Sequence, residues 1–128
     1  MLGSNAARRP WRAALVLALT LMMLGACSLV AGSRLQLLLE ARAMAGGGYA
    51  FVPSEIVAPA GADVTLTLLN TSDAPHTLVL LEPIDRRTGA IVEPGQRDPL
   101  DFTTPGPGSY RFVCNVHQDM GGTLTIGR

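Results

Sequence analysis

Tyr-Arg-Phe-Val-Cys-Asn-Val-His-Gln-Asp-Met-Gly-Gly-Thr-Leu-Thr-Ile, residues 110–126, is the stretch whose reading decides the fold. It reads as strand, loop, strand. Tyr110, Phe112 and Cys114 share one parity of a strand while Arg111 and Val113 share the other, so the Cys114 thiol leaves on the aromatic face and points inward. His117 follows three residues later and Met120 three after that, which hangs an imidazole and a thioether from the same turn as the thiol. Thiolate and thioether are soft ligands that suit Cu(I), imidazole suits either oxidation state, and a Cys with two His and a long axial Met describes an electron-transfer copper site. That set needs a second imidazole. The chain contains two histidines, so His76 is the fourth ligand or the copper reading fails.

Outward from this stretch the chain is a succession of short strands. Val64, Leu66 and Leu68 alternate with Thr65 and Thr67, the clearest strand pattern in the protein. His76 opens residues 76–81, sharing parity with Leu78 and Leu80, and so faces the core. Residues 49–53 form a strand that Pro53 ends or places at an edge, and residues 98–104 form another with Leu100 and Phe102 on one face. Residues 35–43 read as a strand or a short helix, since the run Leu37-Leu38-Leu39 blurs the alternation. Turn residues punctuate the rest: Gly46-Gly47-Gly48, Pro59-Ala60-Gly61, the loop 70–75, Pro105-Gly106-Pro107-Gly108 and Gly121-Gly122. Residues 82–95 are a polar loop or an irregular edge strand. Seven to eight short strands without a useful helical period argue for an all-β, antiparallel Greek-key sandwich.

The N-terminal end carries a different signal. Arg8, Arg9 and Arg12 precede an apolar run over residues 13–24, followed by Leu24-Gly25-Ala26-Cys27, the pattern of a bacterial lipobox. It implies removal of residues 1–26 and lipidation of Cys27, with residues 27–34 as a tether and 35–128 as the copper domain. No charge lies between Arg12 and Arg34, so an uncleaved membrane helix is the alternative. Either way the domain is exported, to a periplasmic or other extracytoplasmic site, and held at a membrane. Cleavage turns ten basic residues into seven against ten acidic, a formal charge of −3 that speaks against nucleic acid as a partner. A disulfide between Cys27 and Cys114 is not expected, because each has its own explanation.

The sequence resembles the cupredoxins, the small blue copper proteins, through residues 49–53, Pro59-Ala60-Gly61, residues 70–76, Glu93-Pro94-Gly95, Gly108-Ser109-Tyr110, Cys114, His117, Met120 and Gly122-Thr123-Leu124. With two residues on either side of His117, the ligand loop is most similar to that of amicyanin. The resemblance implies that His76, Cys114 and His117 are strong ligands to a single type 1 copper and Met120 the weak axial one. One departure concerns Val116, where loops of this spacing often carry Pro. Its N–H is expected to donate toward the Cys114 sulfur and raise the redox potential.

Other metal chemistry fits less well. Thioether is a poor zinc ligand, a binuclear copper centre needs a second loop cysteine, and a trinuclear oxidase cluster needs more than two histidines. The expected function is therefore a monomeric, non-enzymatic carrier passing single electrons between proteins such as a cytochrome or dehydrogenase and an oxidase or reductase. The alternative is a module that stores or delivers copper without redox cycling. Ala74, Pro75, Pro105, Pro107 and Val116 are expected to form an apolar docking patch around His117.

Overall fold

The computed structural model describes residues 32–128. Nine strands run in order: β1 (Leu35–Ala43), β2 (Tyr49–Val52), β3 (Glu55–Pro59), β4 (Asp63–Asn70), β5 (Val79–Leu80), β6 (Arg86–Arg87), β7 (Arg97–Thr103), β8 (Gly108–Val113) and β9 (Gly121–Gly127). They make two sheets, β2-β1-β4-β7 and β3-β9-β8-β5-β6. The leader over residues 1–26, the lipidation of Cys27 and the first part of the tether lie outside the described residues, while residues 32–34 are exposed and irregular.

Alternation explains most of the strands. In β4, Val64, Leu66, Leu68 and Asn70 are buried while the residues between them are not. Each fully buried Leu contributes about 1.5–3 kcal/mol relative to an exposed one. Residues 35–43 settle as a strand because β1 buries Leu39 and Ala41 between β2 and β4, leaving Leu38 of the ambiguous run half exposed. The two inner faces meet at Phe51 of β2 and Phe112 of β8, edge to face with ring centroids 5.5 Å apart. This is the expected sandwich, with nine strands and mixed sheets.

Two pairings are parallel where the sequence leads one to expect antiparallel pairing throughout. β1 pairs parallel with β4 from Leu35↔Val64 to Ala41↔Asn70, and β3 pairs parallel with β9 from Glu55↔Thr123 to Pro59↔Gly127. The cause is connectivity: β3 belongs to the second sheet, so the chain leaves the first sheet after β2 and re-enters it at β4. A parallel neighbour needs such a crossover.

The expected strand over residues 76–81 shrinks to Val79–Leu80. Its first three backbone N–H groups are spent elsewhere: His76 donates to Val92 O at 3.1 Å, Thr77 to Cys114 Sγ at 3.5 Å and Leu78 to Thr88 Oγ1 at 3.2 Å. His76 and Val92 form an isolated bridge, one of the points that hold the polar 82–95 segment beyond β6, with Thr88 bonded to Leu78 and Gly95 to Asn70 as others. Within β9, Gly122 is a steric necessity, because a methyl there would run into the Phe112 ring and the Ser54 carbonyl oxygen.

Candidate metal centre

The site forms at one end of the sandwich, where β8 stops. β8 buries Phe112 and carries Cys114 inward on the same parity, leaving it almost wholly enclosed. The turn that follows is tied at both ends: Cys114 N–H donates to Met120 O at 2.9 Å and Met120 N–H to His117 O at 3.2 Å. His76 reaches the same place from the opposite side. It has no exposed surface, and Thr77 beside it donates its N–H to the Cys114 sulfur.

Three donors converge. Cys114 Sγ lies 3.9 Å from His76 Nδ1 and 3.8 Å from His117 Nδ1, and the three ligand atoms all lie within 4.8 Å of one another. With the metal–imidazole and metal–thiolate lengths known for zinc, about 2.0 and 2.3 Å, an ion at a trigonal angle separates those donors by roughly 3.7 Å. The spacing fits one first-row metal ion. Met120 is buried on the same loop at 2% exposure, and the donor set holds no carboxylate. Thiolate and two imidazoles with a buried methionine on the same loop match copper better than zinc.

His76 is set in a hydrogen-bonded wall. Its Nε2 lies 2.7 Å from Ser72 Oγ, and Ser72 Oγ in turn lies 2.9 Å from Asn70 Oδ1. A metal at Nδ1 requires the ring proton on Nε2, where Ser72 accepts it and passes its own proton toward Asn70 Oδ1 or Ala74 O. Asn70 holds this loop together by donating to Ala74 O at 2.7 Å and Val92 O at 2.8 Å. Burial, followed by the charge of His117 and opposed by Asp73, lowers the His76 pKa below the ordinary imidazole value, so the ring is the neutral, ligating form at pH 7.

His117 is half buried and sits in a surface depression with Gly48, Tyr49, Val116, Gln118 and Met120. Two expectations about its surroundings change. The Val116 N–H makes no bond to the sulfur; the backbone N–H of Thr77 takes that role, with the Thr77 hydroxyl 3.8 Å from Sγ as well. Pro105 and Pro107 precede β8, whose six residues put them roughly 20 Å from the ligand loop, so they belong to the opposite end of the sandwich.

Of the four residues proposed from sequence, His76, Cys114 and His117 bring their ligand atoms together and Met120 lies buried on the same loop, while sequence reasoning misses three neighbours. Ser72 and Thr77 carry only the weak signal of hydroxyls flanking a core-facing His. Tyr49 has its ring 4.9 Å from that of His76 and 4.6 Å from that of His117, and its hydroxyl donates to Asp73 Oδ1 at 3.0 Å. Its parity in a four-residue strand gives no hint of either contact.

A family model described as a cupredoxin-like domain matches residues 14–126. No curated protein matches. Among solved structures, the fold is similar to dithionite-reduced auracyanin from the photosynthetic bacterium Roseiflexus castenholzii, at 24% identity and a TM-score of 0.62, covering 76% of this chain and 100% of that one. Amicyanin from Paracoccus versutus aligns at 21% identity and a TM-score of 0.54, over 72% of this chain and 81% of that one. The copper-containing nitrite reductase of Thermus scotoductus aligns at 21% identity and a TM-score of 0.58, over 73% of this chain but 28% of the reductase. At these identities the likeness is one of fold.

Proposed function

The chain belongs to the cupredoxin-like family, and from that membership we propose that it is a type 1 copper protein carrying single electrons between redox partners at a membrane surface. The observation that carries the reading is the thiol of Cys114 standing 3.8–3.9 Å from one nitrogen of each of two imidazoles, inside a soft donor set. His76, Cys114 and His117 would hold one copper ion strongly and Met120 weakly. When bound, copper supplies a one-electron couple between Cu(I) and Cu(II).

The remaining chemistry belongs to the chain. Cys114 gives up its proton on binding and accepts a hydrogen bond from the Thr77 N–H, which withdraws charge from sulfur and favours the reduced state. Ser72 keeps the His76 ring proton on Nε2. The sandwich, with its loop closed by Cys114 N–H to Met120 O, holds one donor arrangement for both oxidation states and so limits the rearrangement that accompanies transfer. His117, half exposed beside Tyr49 and Val116, is the port through which the electron leaves.

Export and anchoring complete the proposal. Residues 1–26 direct the chain across the membrane and Cys27 bears the lipid, so the copper domain, a monomer, works tethered and meets its partners in brief encounters. Mass spectrometry of membrane-extracted protein checks this: a lipidated N-terminal Cys27 supports it, and a chain still beginning at Met1 replaces the lipid with an uncleaved anchor. Voltammetry of the copper-loaded chain tests the carrier role. A reversible one-electron wave over many cycles supports it, whereas irreversible reduction with prompt copper loss to a chelator transfers the reading to storage or delivery.

A further inference from the structure

The two imidazoles differ in what holds them. His76 is buried, with Nε2 engaged by Ser72 Oγ at 2.7 Å. His117 sits on a surface loop, and among the described residues its ring makes no hydrogen bond through Nε2. The torsion that turns an imidazole about its Cβ–Cγ bond is broad, so a ring without such a bond is oriented by packing alone.

That packing comes from the rings of Tyr49 and His76, of which His76 is itself held by Ser72. The rings of Tyr49, His76 and His117 stand at the corners of a triangle with sides of 4.6, 4.7 and 4.9 Å. Tyr49 is itself fixed at three points. Its backbone pairs with Ala43 just after Gly47 and Gly48, whose φ angles of 91° and 79° permit the tight turn that delivers it. Its ring meets His76 edge-on at 71°. Its hydroxyl donates to Asp73, a residue of the loop that carries Ser72 and His76, so the β1–β2 hairpin is tied to the fixed side of the site.

We infer that Tyr49 is the positioning residue for His117, doing by ring packing what Ser72 does for His76 by hydrogen bonding, with Asp73 setting where the Tyr49 ring stands. The inference rests on His117 being a copper ligand. Without the aromatic ring, His117 turns about its Cβ–Cγ bond and Nδ1 swings away from the sulfur. Tyr49→Phe keeps the ring and loses the tether; Tyr49→Leu loses both.

The test uses the full chain as parent, Tyr49→Phe, Tyr49→Leu and Asp73→Ala, the last of which removes no core packing. Tyr49→Leu is expected to surrender copper to a chelator about tenfold faster than the parent and to change the thiolate-to-copper absorption band. Tyr49→Phe and Asp73→Ala, which keep the ring and lose the same tether, both give a nearly parental band and a smaller acceleration in the same direction. In copper-free protein, NMR should show the ring-current shift of the His117 protons lost in the Leu variant and kept in the Phe variant. Parental band and chelator rates in both Tyr49→Leu and Asp73→Ala overturn the inference, and Asp73→Ala alone decides if the Leu variant does not fold. A parent that binds no copper overturns the functional proposal instead, and the His117 shift in copper-free protein then still decides the role of Tyr49: an unchanged shift in the Leu variant overturns it.

Discussion

His76 and His117 offer the same nitrogen to the same sulfur at nearly the same distance, yet their surroundings are opposite. His76 belongs to a wall: no exposed surface, a hydrogen bond to its second nitrogen, and Asn70 and Ser72 behind it. His117 belongs to a rim: a surface loop, a half-exposed ring, aromatic packing in place of hydrogen bonds. In the proposed carrier, His76 would secure the metal and His117 would meet the partner. A carrier needs both, since a wholly buried site transfers slowly and a wholly open one loses its ion.

Substitutions in the wall should cost more than those on the rim. The largest loss is expected for Asn70→Ala, which leaves the buried Ser72 N–H without its acceptor at about 1–3 kcal/mol and removes the bonds to the Ala74 and Val92 carbonyls at about 0.5–1.5 kcal/mol each. Urea unfolding of copper-free protein measures it, and a loss below about 1 kcal/mol would mean that Asn70 does not organise the wall. Gly122→Ala, which forces Phe112 and Ser54 apart behind the wall, is expected to cost about 1–3 kcal/mol in the same assay.

Ser72→Ala sharpens the contrast, because it removes the hydrogen bond to Nε2 and little packing. Copper affinity by competition with a chelator should fall about tenfold, and the copper-free fold should lose about 1–3 kcal/mol because the buried His76 Nε2 is left unsatisfied. Equal affinities would show that the wall holds His76 by packing alone. At the rim, Val116→Pro should leave the redox potential unchanged, since the Val116 N–H makes no bond to sulfur and the donor is Thr77. A shifted potential would return that role to Val116.

The wall also predicts a pH dependence. His76 is held below the ordinary imidazole value of 6.5, chiefly by burial, so the unfolded chain takes up its proton first as pH falls. Copper-free protein is therefore most stable above that value and weakens as pH drops through and below it. Denaturant midpoints across pH 5–8, the range where imidazoles titrate, check the sign; a flat profile contradicts the placement of His76.

Much of this architecture is legible in the amino-acid sequence. Parity alone puts Cys114, His76, Leu66 and Phe112 inside, because a strand with one buried face must alternate. The Cys114–His117–Met120 spacing names the loop, since three candidate ligands on one turn need no tertiary information to be neighbours. What the sequence hides depends on which sheet each strand joins. The parallel pairings follow from the crossover after β2, which no local periodicity encodes. Tyr49 reaches both imidazoles only because the β1–β2 hairpin ends over the ligand loop. Composition assigns Pro105 and Pro107 to the rim, whereas the length of β8 carries them to the far end. The strand expected from His76 starts late because the N–H groups of His76, Thr77 and Leu78 go to Val92 O, Cys114 Sγ and Thr88 Oγ1 and not to a continuous ladder.

The most direct test of the central claim is the visible spectrum of the chain titrated with Cu(II), with Cys114→Ser measured in parallel. The expected result is an intense thiolate-to-copper band that saturates at one copper per chain, bleaches reversibly with reductant and is absent from the variant. Colourless binding, or the same spectrum from parent and variant, would contradict it.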